Sequence, residues 1–248
     1  MLHITGTARC ISDLHLCPER ADLAARFFNF LAATGEADVA ALFILGDLFD
    51  AWIGDDDLDE PFNAKVCGEL RKLANHGTQL YFLAGNRDFL IGEDFAAATG
   101  ARLLPETMKV GAGGTATLLL HGDTLCTDDV DYQRFRTQVR DAAWQARFLS
   151  RPLAERRAEA RSLRERSRQA TRAKSMEIMD VNVASVRATL LAAGCRHMIH
   201  GHTHRPGCEH LTLDDGIAER WVLSDWDNGR GDALEIDANS IRRLDLSR

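Results

Sequence analysis

The sequence has little that would place the protein outside a cell or across a membrane. No apolar run is long enough to span a bilayer, and residues 1–9 show neither the basic nor the apolar region of a signal peptide. The six cysteines include no Cys-x-x-Cys pair and no spacing typical of a disulfide framework. We therefore expect a protein that is neither secreted nor membrane-spanning, with reduced thiols in a cytosol.

The sequence also lacks an excess of basic charge and a P-loop. A net charge of −7 argues against nucleic acid as a partner of the whole molecule. The glycines at 111–114 precede no Lys-Ser/Thr pair, so we interpret them as a hairpin turn. A length of 248 residues suits one large α/β domain or one domain with an insertion, and nothing in the pattern indicates an obligate protein partner.

In the first half of the sequence, apolar runs of strand length alternate with segments of helical periodicity. Strands are predicted at 9–16, 39–45 and 79–84, the first of them ending in Asp-x-His, and helices at 19–33, 62–75 and 92–98. Gly35 is expected to end the first helix. The acidic stretch 50–60, which contains Trp52, is predicted to be a surface loop. This alternation predicts a layered α/β fold with its site at the carboxyl ends of the strands.

The second half adds further strands and one more helix to this pattern. Runs at 107–110 and 115–120 predict a hairpin, and residues 179–193 predict a helix that ends at Gly194. A short strand is predicted at 197–200. The alternation after Arg220 predicts three or four antiparallel strands that form a second sheet of their own.

Polar motifs follow five of the apolar runs. They are Asp13-x-His15, Gly46-Asp47, Gly85-Asn86, His121-Gly122-Asp123 and Gly201-His202-Thr203-His204. In a strand, residues i and i+2 point to the same side, so Asp13 and His15 can converge on one object such as a metal. A single motif of this kind is more often turn chemistry or a satisfied polar contact. Five of them favour a shared site, because parallel strands end at one edge of a sheet.

These motifs resemble the signature of the calcineurin-like metallophosphoesterase superfamily, which reads D-x-H, G-D-x-x-D, G-N, H and G-H-x-H. The resemblance implies an α/β/β/α sandwich with two metal ions at the strand ends. It implies seven catalytic metal ligands: Asp13, His15 and His204 for one ion, Asn86, His121 and His202 for the other, and Asp47 as the bridge between them. Ligands of this kind, without thiolate, suit Mn²⁺, Fe²⁺ or Zn²⁺, and two such ions favour phosphoester or pyrophosphate hydrolysis.

Position 87 departs from the commoner form of the third motif, because Arg87 stands where most members have His. The usual His is thought to assist the leaving group. An alkoxide leaving group needs a proton, whereas a phosphate can depart largely unprotonated. An arginine can instead hold a phosphate through two hydrogen bonds. The sequence therefore favours pyrophosphate cleavage over phosphomonoester or phosphoprotein hydrolysis.

Longer segments resemble the family of UDP-2,3-diacylglucosamine diphosphatases; they lie at 50–56, 85–89, 121–123, 178–182 and 199–206. The resemblance implies cleavage of UDP-2,3-diacylglucosamine to UMP and 2,3-diacylglucosamine 1-phosphate (lipid X) in lipid A biosynthesis. It implies water attack at the phosphorus nearer the uridine and two Mn²⁺ ions per chain. It also implies a peripheral position on the cytoplasmic face of the bacterial inner membrane.

A basic helical segment interrupts the α/β pattern. Residues 134–174 contain thirteen Lys and Arg against four Asp and Glu, a local charge of +9. Helical spacing continues through it, and Pro152 is expected to begin a new helix. We therefore predict a catalytic domain formed by 1–128 and 176–248, with 129–175 as an inserted lid.

The lid is predicted to hold the substrate. Ser167, Thr171 and Lys174 lie at i, i+4 and i+7 and share one helix face. The family resemblance places substrate contacts on these three residues and on Asn86, Arg87, Asp129 and His202. A stripe formed by Phe135, Val139, Ala142 and Ala143 fits an acyl groove, and the plainer alternative is core packing. The basic charge suits an anionic membrane surface, and its plainer alternative is a solvated helix face.

Two other functions stay open at this point. One is a different hydrolase of the superfamily, such as a dinucleoside polyphosphate or cyclic nucleotide phosphodiesterase, although a water-soluble nucleotide would not need the insertion. The other is a metal-free scaffold on the same fold, which the seven ligands argue against.

Overall fold

The computed structural model describes residues 1–112, 115–173, 180–214 and 216–247, with the backbone alone at 112, 115 and 168–173. Within these residues the chain forms twelve strands and seven α-helices. The strands are β1 (Leu2–Ile4), β2 (Ala8–Ile11), β3 (Ala41–Ile44), β4 (Gln79–Leu83), β5 (Ala101–Leu104), β6 (Thr107–Ala112), β7 (Thr115–Leu120), β8 (His197–His200), β9 (Gly207–Leu213), β10 (Gly216–Val222), β11 (Asp232–Ile236) and β12 (Ile241–Asp245). The helices are α1 (Ala21–Glu36), α2 (Pro61–Asn75), α3 (Glu93–Thr99), α4 (Val130–Arg140), α5 (Ala142–Leu149), α6 (Leu153–Ala173) and α7 (Val183–Ala193).

The strands form two six-stranded sheets. The order is β12-β11-β2-β3-β4-β5 in one sheet and β1-β6-β7-β8-β10-β9 in the other. Strands β2 to β5 are mutually parallel, and β7, β8 and β10 are parallel to one another. The carboxyl ends of the parallel strands in each sheet therefore lie at one edge, where an α/β fold places its ligand site.

Apolar side chains fill the space between the sheets and the spaces under the helices. Phe43 stacks on Tyr81 between the sheets, with ring centroids 4.8 Å apart, and Ile199 closes this layer from the second sheet. Helices α1, α2 and α3 cover the outer face of the first sheet, and α7 packs on the second through Leu190. The molecule is therefore the α/β/β/α sandwich that the family resemblance implies.

Two predictions about helix ends need correction. Helix α1 continues past Gly35 to Glu36, because the backbone amide of Ala37 donates to the carbonyl of Ala33 at 3.2 Å and completes a helical turn across Gly35. Helix α7 begins at Val183, since the side chain of Asn182 caps it by accepting hydrogen bonds from two backbone amides. Residue 179, where the helix was predicted to begin, lies outside the described residues.

The predictions for the C-terminal strands and for Trp52 were also wrong. Strands β9 and β10 join the second sheet through β8, whereas β11 and β12 extend the first sheet beside β2. Their alternating pattern identifies strands but not the partner of each strand. Trp52 is buried against the rings of Phe49 and Phe95, because the acidic stretch folds back as a short 3₁₀-helix at Asp55–Asp57.

The basic segment folds as α4, α5 and α6, and α6 begins directly after Pro152, as predicted. The return of the chain from the insertion falls at 174–179, outside the described residues, so the domain boundary at 175 stays a prediction. None of the helices in the described part of the chain has the length and apolar character that crossing a bilayer requires.

Candidate metal centre

All seven predicted ligands lie at one edge of the two sheets. Each follows the carboxyl end of a parallel strand. The order along the chain is Asp13 and His15 after β2, Asp47 after β3, Asn86 after β4, His121 after β7, and His202 and His204 after β8. The strand-end motifs of the sequence therefore meet in space, as their pattern predicts.

One group consists of Asp13, His15 and His204, whose ligand atoms all lie within 4.8 Å of one another. His204 Nε2 is 3.3 Å from Asp13 Oδ1 and 3.4 Å from His15 Nε2. Two donor atoms that each lie about 2.1 Å from one ion are separated by about this distance. The Nδ1 atom of His15 is buried and has no hydrogen-bond partner among the described residues.

A second group forms around the side-chain amide of Asn86. Its Oδ1 atom lies 2.9 Å from both His121 Nε2 and His202 Nδ1. Asp47 lies between the groups: Oδ2 is 3.8 Å from His15 Nδ1, and Oδ1 is 3.7 Å from His121 Nε2. Carboxylate, amide and imidazole donors in two adjoining groups are a set that fits two borderline divalent ions.

Burial and neighbouring charge shift the pKa values in this centre. Burial lowers the pKa of His15 to about 3 and that of His202 to about 4, so both rings are neutral and offer a lone pair at pH 7. Burial raises the pKa of Asp47 to about 7. Burial opposes protonation of His204, yet the carboxylate of Asp13 outweighs it and raises the pKa of His204 to about 9. The buried carboxylates thus attract positive charge, which a metal ion would supply.

The backbone at this edge adopts an unusual conformation. Of the non-glycine residues with positive φ in the described part of the chain, five are predicted ligands: Asp13 (56°), His15 (51°), Asp47 (53°), His202 (65°) and His204 (54°). Each such residue costs about 1 kcal/mol or more in backbone strain. Strain of this kind gathers at functional sites, where the surrounding contacts hold it in place.

Several contacts that the sequence did not reveal hold these loops. The buried carboxylate of Asp88 accepts hydrogen bonds from the backbone amides of Asp47, Leu48 and Gly85, at 3.2, 2.7 and 2.9 Å. Asp13 Oδ2 accepts from the Ser12 hydroxyl and from the backbone amide of residue 202, at 2.6 and 2.8 Å. The only sequence feature that could have revealed Asp88 is its place in the Gly-Asn-Arg-Asp motif. No sequence feature pointed to Ser12.

Two glycines allow the loops to approach one another. A Cβ at Gly85 would overlap the carboxylate of Asp47, and a Cβ at Gly201 would overlap the side chains of Asp13 and Ser12. These positions therefore need glycine because of close packing around the ligands.

His200, beside the ligand pair, has a fixed orientation behind the centre. Its Nε2 atom lies 3.1 Å from Arg220 Nη1, and an arginine can only donate, so Nε2 accepts. The proton is then on Nδ1, which donates to the carbonyl of Gly201 at 2.8 Å. His200 thus supports the turn that carries His202.

A cavity of about 400 Å³ adjoins the centre under the insertion. Of the predicted substrate-binding residues, Asn86, Arg87, Asp129 and Ser167 line it. His202 lies beside it, with its ring centroid 5.7 Å from that of Tyr132, which also lines the cavity. The side chain of Thr171 and all of Lys174 lie outside the described residues.

Much of the cavity wall is apolar. It includes Leu90, Val139, Trp144, Phe148 and Leu163. Of the predicted stripe, Phe135 and Val139 line the cavity, whereas Ala142 and Ala143 are exposed. The stripe is interrupted because α4 ends at Arg140 and a separate helix, α5, begins after the extended residue 141. The Nε atom of Arg87 is buried and lacks a hydrogen-bond partner among the described residues. The cavity is therefore apolar over much of its wall, and both arginine and aspartate side chains, among them Arg87 and Asp123, line it near the metal ligands.

Comparison with known proteins agrees with the fold and the motifs. The family profile described as calcineurin-like phosphoesterase matches residues 8–206. The chain therefore belongs to the calcineurin-like phosphoesterase family, whose members bind two metal ions. An archaeal phosphodiesterase of known structure shares the fold, with a TM-score of 0.50 and 11% identity over 96% of this chain and 99% of that one.

Within this family the chain is similar to proteins named UDP-2,3-diacylglucosamine hydrolase. The protein of that name from Chromohalobacter salexigens is 46% identical over 96% of both chains. Those from Edwardsiella ictaluri and Aromatoleum aromaticum are 47% and 48% identical, over 95% and 89% of this chain and 90% and 89% of their own lengths.

Proposed function

We propose that this chain hydrolyses the pyrophosphate bond of UDP-2,3-diacylglucosamine, giving UMP and 2,3-diacylglucosamine 1-phosphate (lipid X) in lipid A biosynthesis. The observation that carries the proposal is the apolar cavity beside the converging ligands. A cavity of about 400 Å³ lies in the range of small-molecule sites, and its apolar wall suits acyl chains. Relatives with 46% to 48% identity carry the corresponding name.

In this proposal two Mn²⁺ ions bind per chain. Asp13, His15 and His204 would hold one ion, the group around Asn86 would hold the other, and Asp47 would bridge them. Bound there, the ions would supply an acidified water and a positive clamp for the phosphoryl oxygens. The donor set, which has carboxylate and amide oxygens and imidazole but no thiolate, supports Mn²⁺ over a thiophilic ion.

The residues around the ions would position the substrate. Arg87 would hold a phosphate through its guanidinium group, whose Nε lacks a partner among the described residues. Attack at the phosphorus nearer the uridine makes the lipid phosphate the leaving group. That group departs largely unprotonated, so the reaction does not need a proton donor at position 87. Asp129, Ser167, Thr171, Lys174 and His202 complete the proposed contacts.

The basic insertion is the proposed membrane-facing surface, with the protein peripheral on the cytoplasmic face of the inner membrane. Its exposed apolar residues include Val130, Phe135 and Leu149, at 61%, 38% and 39% exposure. Together with the local charge of +9, they suit the headgroup region of an anionic bilayer.

The test is turnover of UDP-2,3-diacylglucosamine with Mn²⁺ in H₂¹⁸O, followed by mass spectrometry. We expect ¹⁸O in UMP. Label in the lipid phosphate alone would overturn the direction of attack, and no turnover by the metal-loaded protein would overturn the assigned activity.

A pair of variants tests the role of the cavity. Leu163→Trp fills part of the cavity, whereas Leu191→Trp adds the same group on α7, where Leu191 is 50% exposed. We expect Leu163→Trp to lower kcat/KM for the diacyl substrate about tenfold or more, since lost apolar burial is about 0.8 kcal/mol per CH₂ group. Hydrolysis of bis(p-nitrophenyl) phosphate should change little. Equal losses on both substrates would contradict acyl binding in this cavity.

A further inference from the structure

The first helix of the insertion contacts the loops that carry the ligands of the second metal group. Helix α4 lies against the loop after β7, which begins with His121, and against the loop after β4, which contains Asn86. The insertion therefore contacts the metal centre from outside as well as covering the cavity.

The contacts to the first of these loops converge on Asp123, two residues after His121. Arg136 Nε donates to Asp123 Oδ2 at 2.7 Å, and the Tyr132 hydroxyl donates to the same oxygen at 2.9 Å. Gln133 Nε2 donates to the backbone carbonyls of Asp123 and Cys126, at 2.8 and 3.0 Å. Three side chains from α4 thus restrain one short loop.

Asp123 is only 3% exposed, so its charge needs a close partner. The nearest cation is the Arg136 guanidinium, whose Nε lies 2.7 Å from Asp123 Oδ2. Arg136 also pairs with Glu106, at the start of the hairpin that contains β7. Loss of the Arg136 guanidinium would leave a buried carboxylate beside the ligand histidines with weaker compensation.

The second loop is held by Arg140, at the last turn of α4. Its Nη2 atom donates to the backbone carbonyl of Gly85 at 2.9 Å and approaches that of Ala84 at 3.3 Å. The guanidinium also lies over the ring of Phe89, 5.4 Å from the centroid. Gly85 directly precedes Asn86, so Arg140 restrains the backbone that sets the position of the Asn86 amide.

The first metal group is held in a different way. The amide of Asp13 donates to the carbonyl of Gly46 at 3.2 Å, and the amide of His15 donates to that of Asp47 at 2.9 Å. The amide of Trp226, near β11, donates to the carbonyl of Asp13 at 3.2 Å. These contacts come from the two sheets and their connections.

We propose that Arg136 and Arg140 are positioning residues for the second metal group, so that Asn86 and His121 reach their binding geometry only when α4 of the insertion is docked. This inference rests on the two-metal part of the proposed function and is independent of the substrate. It makes the insertion a structural part of the metal centre, which binds one ion tightly without α4 and two ions with it.

The test measures Mn²⁺ binding by the full-length, metal-depleted protein. Arg136→Met removes the ion pairs with Asp123 and Glu106, and Arg140→Met removes the hydrogen bond to the carbonyl of Gly85. Arg134→Met removes a charge from the same helix at a side chain that is 78% exposed and pairs with Asp131. We expect two ions in the wild type and in Arg134→Met. In the other two variants we expect one ion to keep its affinity and the second to bind about 10–100-fold more weakly, the usual effect of losing an outer contact to a metal ligand.

Electron paramagnetic resonance gives a readout that a general loss of stability would not produce. The wild type should show the exchange-coupled spectrum of a Mn²⁺ pair, whereas the two variants at one equivalent should show an isolated ion. Arg140→Lys keeps a donor near the carbonyl of Gly85 and should recover part of the second-site affinity. Without metal, Arg134→Met should melt close to the wild type, whereas Arg136→Met should melt lower because the buried Asp123 loses its cationic partner. A general loss of stability would weaken both ions, so selective loss of the second ion in both Arg136→Met and Arg140→Met is the decisive result.

The outcomes separate this inference from the proposed function. If Arg136→Met and Arg140→Met bind both ions as the wild type does, or lose both ions equally, the positioning role is overturned. A wild type that binds fewer than two ions overturns the two-metal function itself. If the wild type fails to hydrolyse the lipid substrate but the two variants still lose affinity for the second ion alone, the proposed substrate is wrong and the positioning role still holds.

Discussion

The buried carboxylate of Asp88 accepts a hydrogen bond of 3.2 Å from the backbone amide of Asp47, so one acidic residue fixes the position of another. The same carboxylate accepts from the amides of Leu48 and Gly85, which connects the loops after β3 and β4. Asp47 sits with φ at 53°, a conformation that needs such restraint. The proposed bridge between the metals is therefore placed by a residue that is not itself in the ligand set.

We predict that Asp88→Asn lowers the free energy of unfolding by about 1–3 kcal/mol, because one acceptor oxygen becomes an amide that faces a buried backbone donor. It should also weaken Mn²⁺ binding at both groups. Urea denaturation and calorimetric metal titration measure these effects, with Asp59→Asn at an exposed position as the control. Wild-type stability in Asp88→Asn would show that the three amide contacts are unimportant.

The position of Asp47 between the two groups predicts a difference between two alanine variants. Its oxygens face His15 and His121 at 3.8 and 3.7 Å. Asp47→Ala should therefore weaken both ions, whereas Asp13→Ala should chiefly weaken the ion held with His15 and His204. Metal analysis after gel filtration distinguishes these cases. Retention of one tight ion by Asp47→Ala would make Asp47 an ordinary ligand of the other.

Two glycines give opposite predictions for the same substitution. A Cβ at Gly85 would overlap the Asp47 carboxylate, so Gly85→Ala should displace the proposed bridge and reduce metal-dependent activity about a hundredfold or more, as expected for misplaced reacting groups. Gly68 lies within α2, and a Cβ there would meet nothing within 4 Å. Gly68→Ala should therefore raise the free energy of unfolding by about 0.5–1 kcal/mol. Thermal melts and steady-state kinetics test the pair, and similar effects of the two substitutions would contradict it.

The sequence predicted the strand-end residues well because that signal is local. A buried strand that ends in Asp or His is visible within a few residues, and parallel strands bring their ends to one edge. The family resemblance then grouped His204 with Asp13 and placed His202 in the same centre, although both histidines are almost two hundred residues from Asp13. The same locality predicted the break before α6, where Pro152 suits the first turn of a new helix.

Features that depend on distant partners could not be predicted. Strands β10 and β11 have similar alternating patterns in the sequence. Nevertheless β10 pairs with β8, whereas β11 pairs with β2 in the other sheet. An arginine on an amphipathic helix has the same pattern whether it is solvated or docked, so the sequence did not distinguish Arg136 from Arg134. That distinction depends on Asp123, which becomes a neighbour of Arg136 only in the folded chain.

The last prediction concerns the attachment of α6 to the body of the protein. Arg156 is only 1% exposed, although it lies in a basic helix. Its guanidinium donates to the backbone carbonyl of Ile53 and to the carboxylate of Asp56, and Arg157 pairs with Asp57 one residue further along each segment. The acidic stretch thus neutralises part of the basic insertion and holds it over the cavity.

Arg156→Met should leave the Ile53 carbonyl without its partner and reduce the free energy of unfolding by about 1–3 kcal/mol. The loss should fall mainly on the attachment of α6, since the partners of Arg156, the Ile53 carbonyl and the Asp56 carboxylate, lie in the acidic stretch and not in a strand. Limited trypsin digestion should then cut within 153–167 faster than in Arg161→Met, where the substituted side chain is exposed. If both variants are cut at the wild-type rate, the buried ion pair does not hold the insertion, and the contacts of α4 and α5 alone keep it closed.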